Sequence, residues 1–337
     1  MHISNQKPMN YRLLGKTGLK VSEISLGTWQ VGGVWGMGFD HDSAQELLQA
    51  AYESGVNFFD TADVYENGES EKAVGKFLKS VGSSEELFVA TKCGKQINPF
   101  INENFSPEVL RGYVEDSLKR LGVETIDLIQ LHCPPTEVYY RPEIFGLFDR
   151  LKEEGKIRNL GVSVEKVEEA VKAIQFENVT TVQIIYNLFR RRPEDYFFQM
   201  AADNNIGIIV RVPLASGLLS GKMSTQSTFN PGDHRHGNRN GEWFDKGETF
   251  AGVPFETGLE AVEKLREIFS GLELAQVALK WILMNDQVSV IIPGASKLRH
   301  VPSNMGAGEL ADFSPEQMAA ARQVYEDMIK PHVHDLW

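Results

Sequence analysis

Short runs of apolar residues, each followed by an amphipathic helical stretch, recur about eight times along this 337-residue chain, and no other feature limits its possible folds as much. Runs such as VNFFD, LFVATK, IDLIQLH and IGIIVRV are apolar at consecutive positions, so the strands they form are buried on both faces. Parallel strands covered by helices meet that condition. YRLLGKTGLKVSEI reads as a hairpin around Lys16-Thr17-Gly18, followed by a strand ending near Gly27. A helix spans Ser43 to Ser54 and stops at Gly55. Ser106-Pro107-Glu108 opens another with a cap, a first-turn proline and an acid at the positive end. Its stripe of Leu110, Val114, Leu118 and Leu121 ends at Gly122, a left-handed stop. Further helices are expected over 142–154, over VEKVEEAVKAI and near 193–204. A polar segment over 222–256 then interrupts the alternation before ELAQVALKWILMN, SVIIPG and a last βα unit.

Eight such units close into a barrel. An open doubly wound sheet is the rival, and a glycine-rich phosphate loop after the first strand would favour it. GTWQVGGVWGMG does not match G-x-G-x-x-G, and its glycines read as a flexible loop. The expected fold is α/β: a (β/α)8 TIM barrel with a short N-terminal β-hairpin and a long loop after strand seven. Residues 11–337 form one domain behind a tail of residues 1–10. A formal net charge of -12 disfavours nucleic acid and anionic membranes as partners. MHISNQKPMN lacks the apolar core of a signal peptide, and Cys93 and Cys133 have no metal-ligand spacing, so a reduced cytoplasmic protein without a metal is expected.

The C-terminal ends of barrel strands open on one face, where active sites sit. Asp60 ends strand two, with Tyr65 on its loop. Thr91-Lys92 ends strand three, and Gln130-Leu131-His132 ends strand four. A buried lysine beside a phenol favours its charged form and lowers its pKa from about 10. Asp60 supplies the lysine's counter-ion, and His132 orients a carbonyl oxygen. The set protonates an oxygen that gains negative charge. It contains no hydride source, so a cofactor must bring the electrons. Cys93 and Cys133, one residue after Lys92 and His132, turn away from the interior as a buried reduced pair.

In this order, RLLGKTGLKVSEISLGTW, FFDTADVYENGESEKAVG, the lysine of VATK, the histidine of LIQLH, GVS, VQIIYN, PLASGLLSGK, IIPGAS and Asn304 resemble the aldo-keto reductases over nearly the whole chain. The resemblance implies that Asp60, Tyr65, Lys92 and His132 are a catalytic tetrad, with Tyr65 the general acid. It also implies an extended nicotinamide cofactor across the barrel mouth. Ser163 and Gln183 would hold its carboxamide, and Gly27, Thr28 and Trp29 would border it. Leu214, Ser216, Gly217 and Leu218, with Lys222, would wrap the pyrophosphate. Gly294, Ser296, Lys297, Arg299, His300 and Asn304 would meet the adenosine end. Lys297 and Arg299 either neutralise a 2′-phosphate, which favours NADP (NADPH) over NAD, or are solvated surface charges. His300 and Ser303 depart from residues common in the family there.

Arg211 stands where many relatives carry an aromatic residue against the nicotinamide. It either stacks on the ring, biasing binding toward the reduced cofactor, or turns away to an acidic neighbour. Trp29 and Trp35, with Trp243, Tyr65 and His132, would form the wall around a small carbonyl or sugar-like substrate, and the 222–256 segment a lid over it. The expected function is NADPH-dependent reduction of an aldehyde or ketone to an alcohol. The alternative is a cofactor-loaded regulatory or binding protein, as in voltage-gated potassium channel β subunits, which resemble the same family.

Overall fold

The computed structural model describes residues 9–33, 38–82 and 86–337. Most of the 1–10 tail and Trp35 of the expected substrate wall lie outside the described residues. Strands β1 (Tyr11–Leu13) and β2 (Lys20–Ser22) pair antiparallel, joined by a turn in which Gly18 is left-handed. Eight parallel strands follow: β3 (Leu26–Gly27), β4 (Phe58–Asp60), β5 (Phe88–Cys93), β6 (Ile126–His132), β7 (Ile157–Ser163), β8 (Val179–Ile185), β9 (Gly207–Arg211) and β10 (Val290–Ile291). Each pairs with the next in chain order. The ring closes where Ser25 N donates to Ile291 O at 2.9 Å and Gly27 N to Pro293 O at 3.2 Å. This is the (β/α)8 barrel expected from the strand pattern.

Helices α1 (His41–Glu53), α2 (Glu69–Val81), α3 (Pro107–Leu121), α4 (Pro142–Glu153), α5 (Val167–Ala173) and α6 (Phe197–Asp203) connect successive strands. Helix α1 starts two residues before the expected Ser43, because Asp40 accepts from the backbone of Asp42 and Ser43. Helix α3 is capped by Ser106 and ended by left-handed Gly122, as expected. The long segment after β9 is folded, containing α7 (His234–Gly237) and tight turns at Lys246–Glu248 and Phe250–Gly252. Helix α8 (Phe255–Ile268) is an addition, although Phe255, Ala261, Val262 and Leu265 fall on its buried face. Helices α9 (Leu274–Leu283), α10 (His300–Met305), α11 (Pro315–Val324) and α12 (Lys330–Val333) complete the chain. No helix among the described residues is long and apolar enough to cross a membrane.

The barrel holds two kinds of interior. At the N-terminal end, Leu14, Leu19 and Val21 of the hairpin pack against Phe58, Phe88, Leu128, Ile209 and Val290. This plug is dry and apolar. One step toward the C-terminal end the inward positions become Asp60, Lys92, Gln130 and Gln183, all buried. Period-two alternation makes the change abrupt, since Phe58 and Asp60 point inward on one strand while Phe59 faces the helices.

Candidate active site

Lys92 arrives on β5 with its ammonium fully buried, and each of its three protons finds an acceptor. Nζ donates to Asp60 Oδ1 at 2.5 Å, to Thr61 O at 2.9 Å and to Tyr65 Oη at 3.1 Å. Burial works against its charge, but Asp60 and Tyr65 more than offset that and hold its pKa above the ordinary lysine value. An ammonium only donates, so the Tyr65 oxygen is the acceptor and its own O–H is left to point elsewhere. Burial raises the Tyr65 phenol above 10, and Lys92 only partly reverses this. The lowered phenol expected from the sequence is therefore corrected: desolvation outweighs the lysine, and Tyr65 stays protonated at neutral pH.

His132 ends β6 with its ring 6.1 Å from that of Tyr65 and nearly perpendicular to it. Burial, then the charges of Lys92, Lys95 and Arg211, keep its pKa well below 6.5, so the imidazole is neutral. Its Nδ1 is buried without a hydrogen bond among the described residues, which leaves Nε2 as the atom able to meet a ligand. The second aspartate of the FFDTAD stretch behaves differently from the first. Asp63 lies buried beside Glu71, and these two influences push its carboxyl up to about 7.

Above the tetrad a cleft of about 350 Å³ opens along the barrel mouth. Asp60, Tyr65 and His132 form its floor with Gln183 and Arg211, and Gly27 and Trp29 lie on one side. Leu214, Ser216, Gly217 and Lys222 line it next, and Gly294, Ser296, His300 and Asn304 line its far end. Ala215, Ser216 and Gly217 all have left-handed backbone, so the 213–221 loop curls tightly against the cleft. Lys297 and Arg299 are exposed beside the far end, and burial, then the charges of Arg299, Lys222 and Lys297, depress the His300 pKa. None of these three cations has a carboxylate within ion-pair distance among the described residues.

Three expected cofactor contacts stand back from the cleft. The Thr28 hydroxyl is spent on Asp60 O at 3.0 Å and Ser70 Oγ at 2.8 Å. Ser163 is fully buried with its Oγ 3.4 Å from Cys133 Sγ. Leu218 is fully buried against the helix layer, where a Cβ on Gly258 would strike it. Trp243 is about half exposed, whereas Trp29 stacks 6.1 Å from Tyr65 and 5.1 Å from His234. The wall opposite Tyr65 is thus Trp29 with His234 of the long segment.

Arg211 lines the cleft but does not present a free charge. It donates to Glu165 Oε2 at 2.8 Å and Val164 O at 2.9 Å, and lies 3.3 Å from Glu248 Oε2. The acidic-neighbour alternative holds, and the redox-form bias that a bare guanidinium would create loses its basis. Cys133, Glu165 and Glu248 bring atoms of metal-ligand type within 4.8 Å of one another, and the guanidinium reaches all three.

The sequence reading assigned no role to Gln130, Glu165 or Glu248. Gln130 carried a signal, because it precedes His132 by two and so shares its face. Glu248 carried none: it stands in a segment without periodicity, far along the chain from Arg211.

Residues 23–326 match the model of the Aldo/keto reductase family. Aldo-keto reductase YhdN of Bacillus subtilis is 34% identical over 296 residues, 86% of each chain. The NADH-specific methylglyoxal reductase of Escherichia coli is 30% identical, over 87% of this chain and 92% of its own. The solved structure of glycerol dehydrogenase AKR11B4 from Gluconobacter oxydans superposes with a TM-score of 0.75 at 30% identity, covering 96% of both chains. Fold, strand-end residues and sequence similarity thus converge, and the chain belongs to the aldo/keto reductase family.

Proposed function

We propose that this protein reduces an aldehyde or ketone to an alcohol with NADPH, and that Tyr65 delivers the proton. The observation that carries the reading is the fully engaged ammonium of Lys92. By donating to Tyr65 it turns the phenolic proton away from the barrel interior and toward the cleft. A substrate oxygen beside Tyr65 and His132 receives a hydrogen bond from the neutral imidazole and a proton from the phenol. Lys92 then faces the phenolate and stabilises it, with Asp60 holding the ammonium in place.

The residues present suit a nicotinamide dinucleotide. The cleft is elongated, its floor offers the buried amide of Gln183, and its far end gathers cations with no carboxylate at ion-pair distance among the described residues. When bound, the cofactor supplies the hydride. Gln183 would hold its carboxamide end, the 213–221 loop and Lys222 its pyrophosphate, and His300 and Asn304 its adenosine end. Lys297 and Arg299, exposed with no carboxylate at ion-pair distance among the described residues, favour a 2′-phosphate and hence NADPH over NADH. The NADH-specific relative from Escherichia coli makes the choice between NADPH and NADH the point to test.

Fluorescence titration with NADPH and NADH, followed by a panel of aldehydes, ketones and sugars, tests the proposal. Tighter NADPH binding and carbonyl-dependent NADPH oxidation are expected. Tight binding with no turnover on any carbonyl would favour a cofactor-loaded binding protein, and no binding would overturn both readings.

A further inference from the structure

Gln130 is fully buried on β6, where period two turns it into the barrel with His132. Its neighbours in register are Lys92 on β5 and Gly161 on β7. A Cβ on Gly161 would come within 3.2 Å of Gln130 Cγ and 2.1 Å of Thr181 Oγ1, so the bare glycine makes room for the glutamine. A primary amide at this depth must find internal partners. Gln130 Nε2 donates to Asp60 Oδ2 at 3.1 Å. Gln183 Nε2 donates to the same oxygen at 2.8 Å and to Gln130 Oε1 at 3.2 Å.

The chemistry of Asp60 fixes both amides. A carboxylate beside an ammonium only accepts, so each glutamine must turn its nitrogen toward Oδ2. With its nitrogen so placed, Gln130 presents its oxygen to the second N–H of Gln183. Both protons of Gln183 are then committed inside the barrel. Its remaining polar atom, Oε1, receives no hydrogen bond among the described residues, and Gln183 lines the cleft.

We infer that Gln130 is a positioning residue that locks the Gln183 amide so that it shows the cleft an acceptor and never a donor. The inference rests on the nicotinamide-dependent reading proposed above and gives its carboxamide subsite a polarity. A group with N–H protons is held there. A carboxylate in the same place meets an oxygen lone pair and offers no proton to it, and is refused.

Calorimetric titration with NADP⁺ and with its nicotinic acid counterpart, in which a carboxylate replaces the carboxamide, tests this. The native protein is expected to prefer the carboxamide by about tenfold or more, the worth of one buried hydrogen bond made rather than opposed. Gln130→Leu removes one of the two acceptors that hold the Gln183 nitrogen and leaves Asp60 alone to orient it, so the preference should fall to about threefold or less. In a Gln183→Met background the same substitution should leave the ratio within about twofold, because the amide it acts through is gone. Gln130→Met, closer in length, takes its place if Gln130→Leu does not fold. A preference unchanged in the folded Gln130 variant, or a native protein indifferent to the two ligands, would overturn the role of Gln130 alone. Native protein that binds neither dinucleotide would overturn the nicotinamide reading and this one with it.

Discussion

Three protons on one ammonium organise the chemistry at the residue scale. Lys92 spends them on Asp60, Thr61 and Tyr65, so the phenol is oriented by hydrogen bonding while burial keeps it protonated. With Tyr65 as the proposed proton donor, carbonyl reduction would need the protonated phenol and the reverse oxidation the phenolate. The reduction rate is therefore expected to stay level across neutral pH and fall only above about pH 10, while alcohol oxidation rises over the same range. His132, held neutral, adds no limb between about pH 6 and 8. A pH profile of kcat in both directions checks this, and a reduction limb near neutrality would contradict it.

Arg211 makes a second residue-scale prediction. Arg211→Met leaves the partly buried Glu165 and Glu248 without their shared cation, which is expected to cost about 3 kcal/mol in a denaturant titration, the low end for breaking a buried pair. The clustering of Asp60, Tyr65, Lys92 and His132 was legible in the sequence because each ends an apolar strand or follows one closely. The direction of the Tyr65 shift was not, because motif spacing names the neighbouring charge and leaves the depth of burial unstated.

At the scale of elements, the segment after β9 shows what periodicity misses. A polar stretch without repeat reads as a lid, yet its turns are fixed by contacts from distant parts of the chain. Ser216 Oγ donates to Glu248 O at 2.9 Å and accepts from Phe250 N at 3.1 Å. Trp337 Nε1 donates to Asp245 at 2.8 Å, and its ring lies where a Cβ on Gly247 or Gly252 would stand. Such contacts leave no local signature. In the loop between β10 and α10 the sequence singles out two cations, Lys297 and Arg299. Replacing both with alanine is expected to weaken NADPH by about tenfold or more, at 1.5–3 kcal/mol per charge-assisted contact in rough terms, and to leave NADH nearly unchanged. Equal effects on both cofactors in a binding titration would return the two side chains to the role of solvated surface charges.

For the molecule as a whole, the barrel divides labour along its axis. The hairpin plug supplies a dry base on which the polar layer rests, and the count of apolar runs predicted that architecture because parallel strands buried on both faces have few other arrangements. Leu14 is fully buried in the plug, so Leu14→Ala is expected to cost about 2–5 kcal/mol of stability. The turnover of the folded fraction should barely change, because the plug and the cleft occupy opposite ends. A thermal melt alongside an activity assay separates the two effects. What the strand count did not convey is that the interior changes from apolar to ionic within one pair of inward positions, and this is what places a charged lysine over a hydrophobic floor. The proposed reduction depends on the phenol that this lysine orients. NADPH affinity and NADPH-dependent carbonyl reduction should be measured side by side for the native protein and Tyr65→Phe. Affinity within about twofold and turnover lower by about 10²–10⁴-fold are expected, the usual worth of a positioned general acid. Turnover near the native rate across several carbonyl substrates would contradict the assignment of Tyr65 as the proton donor.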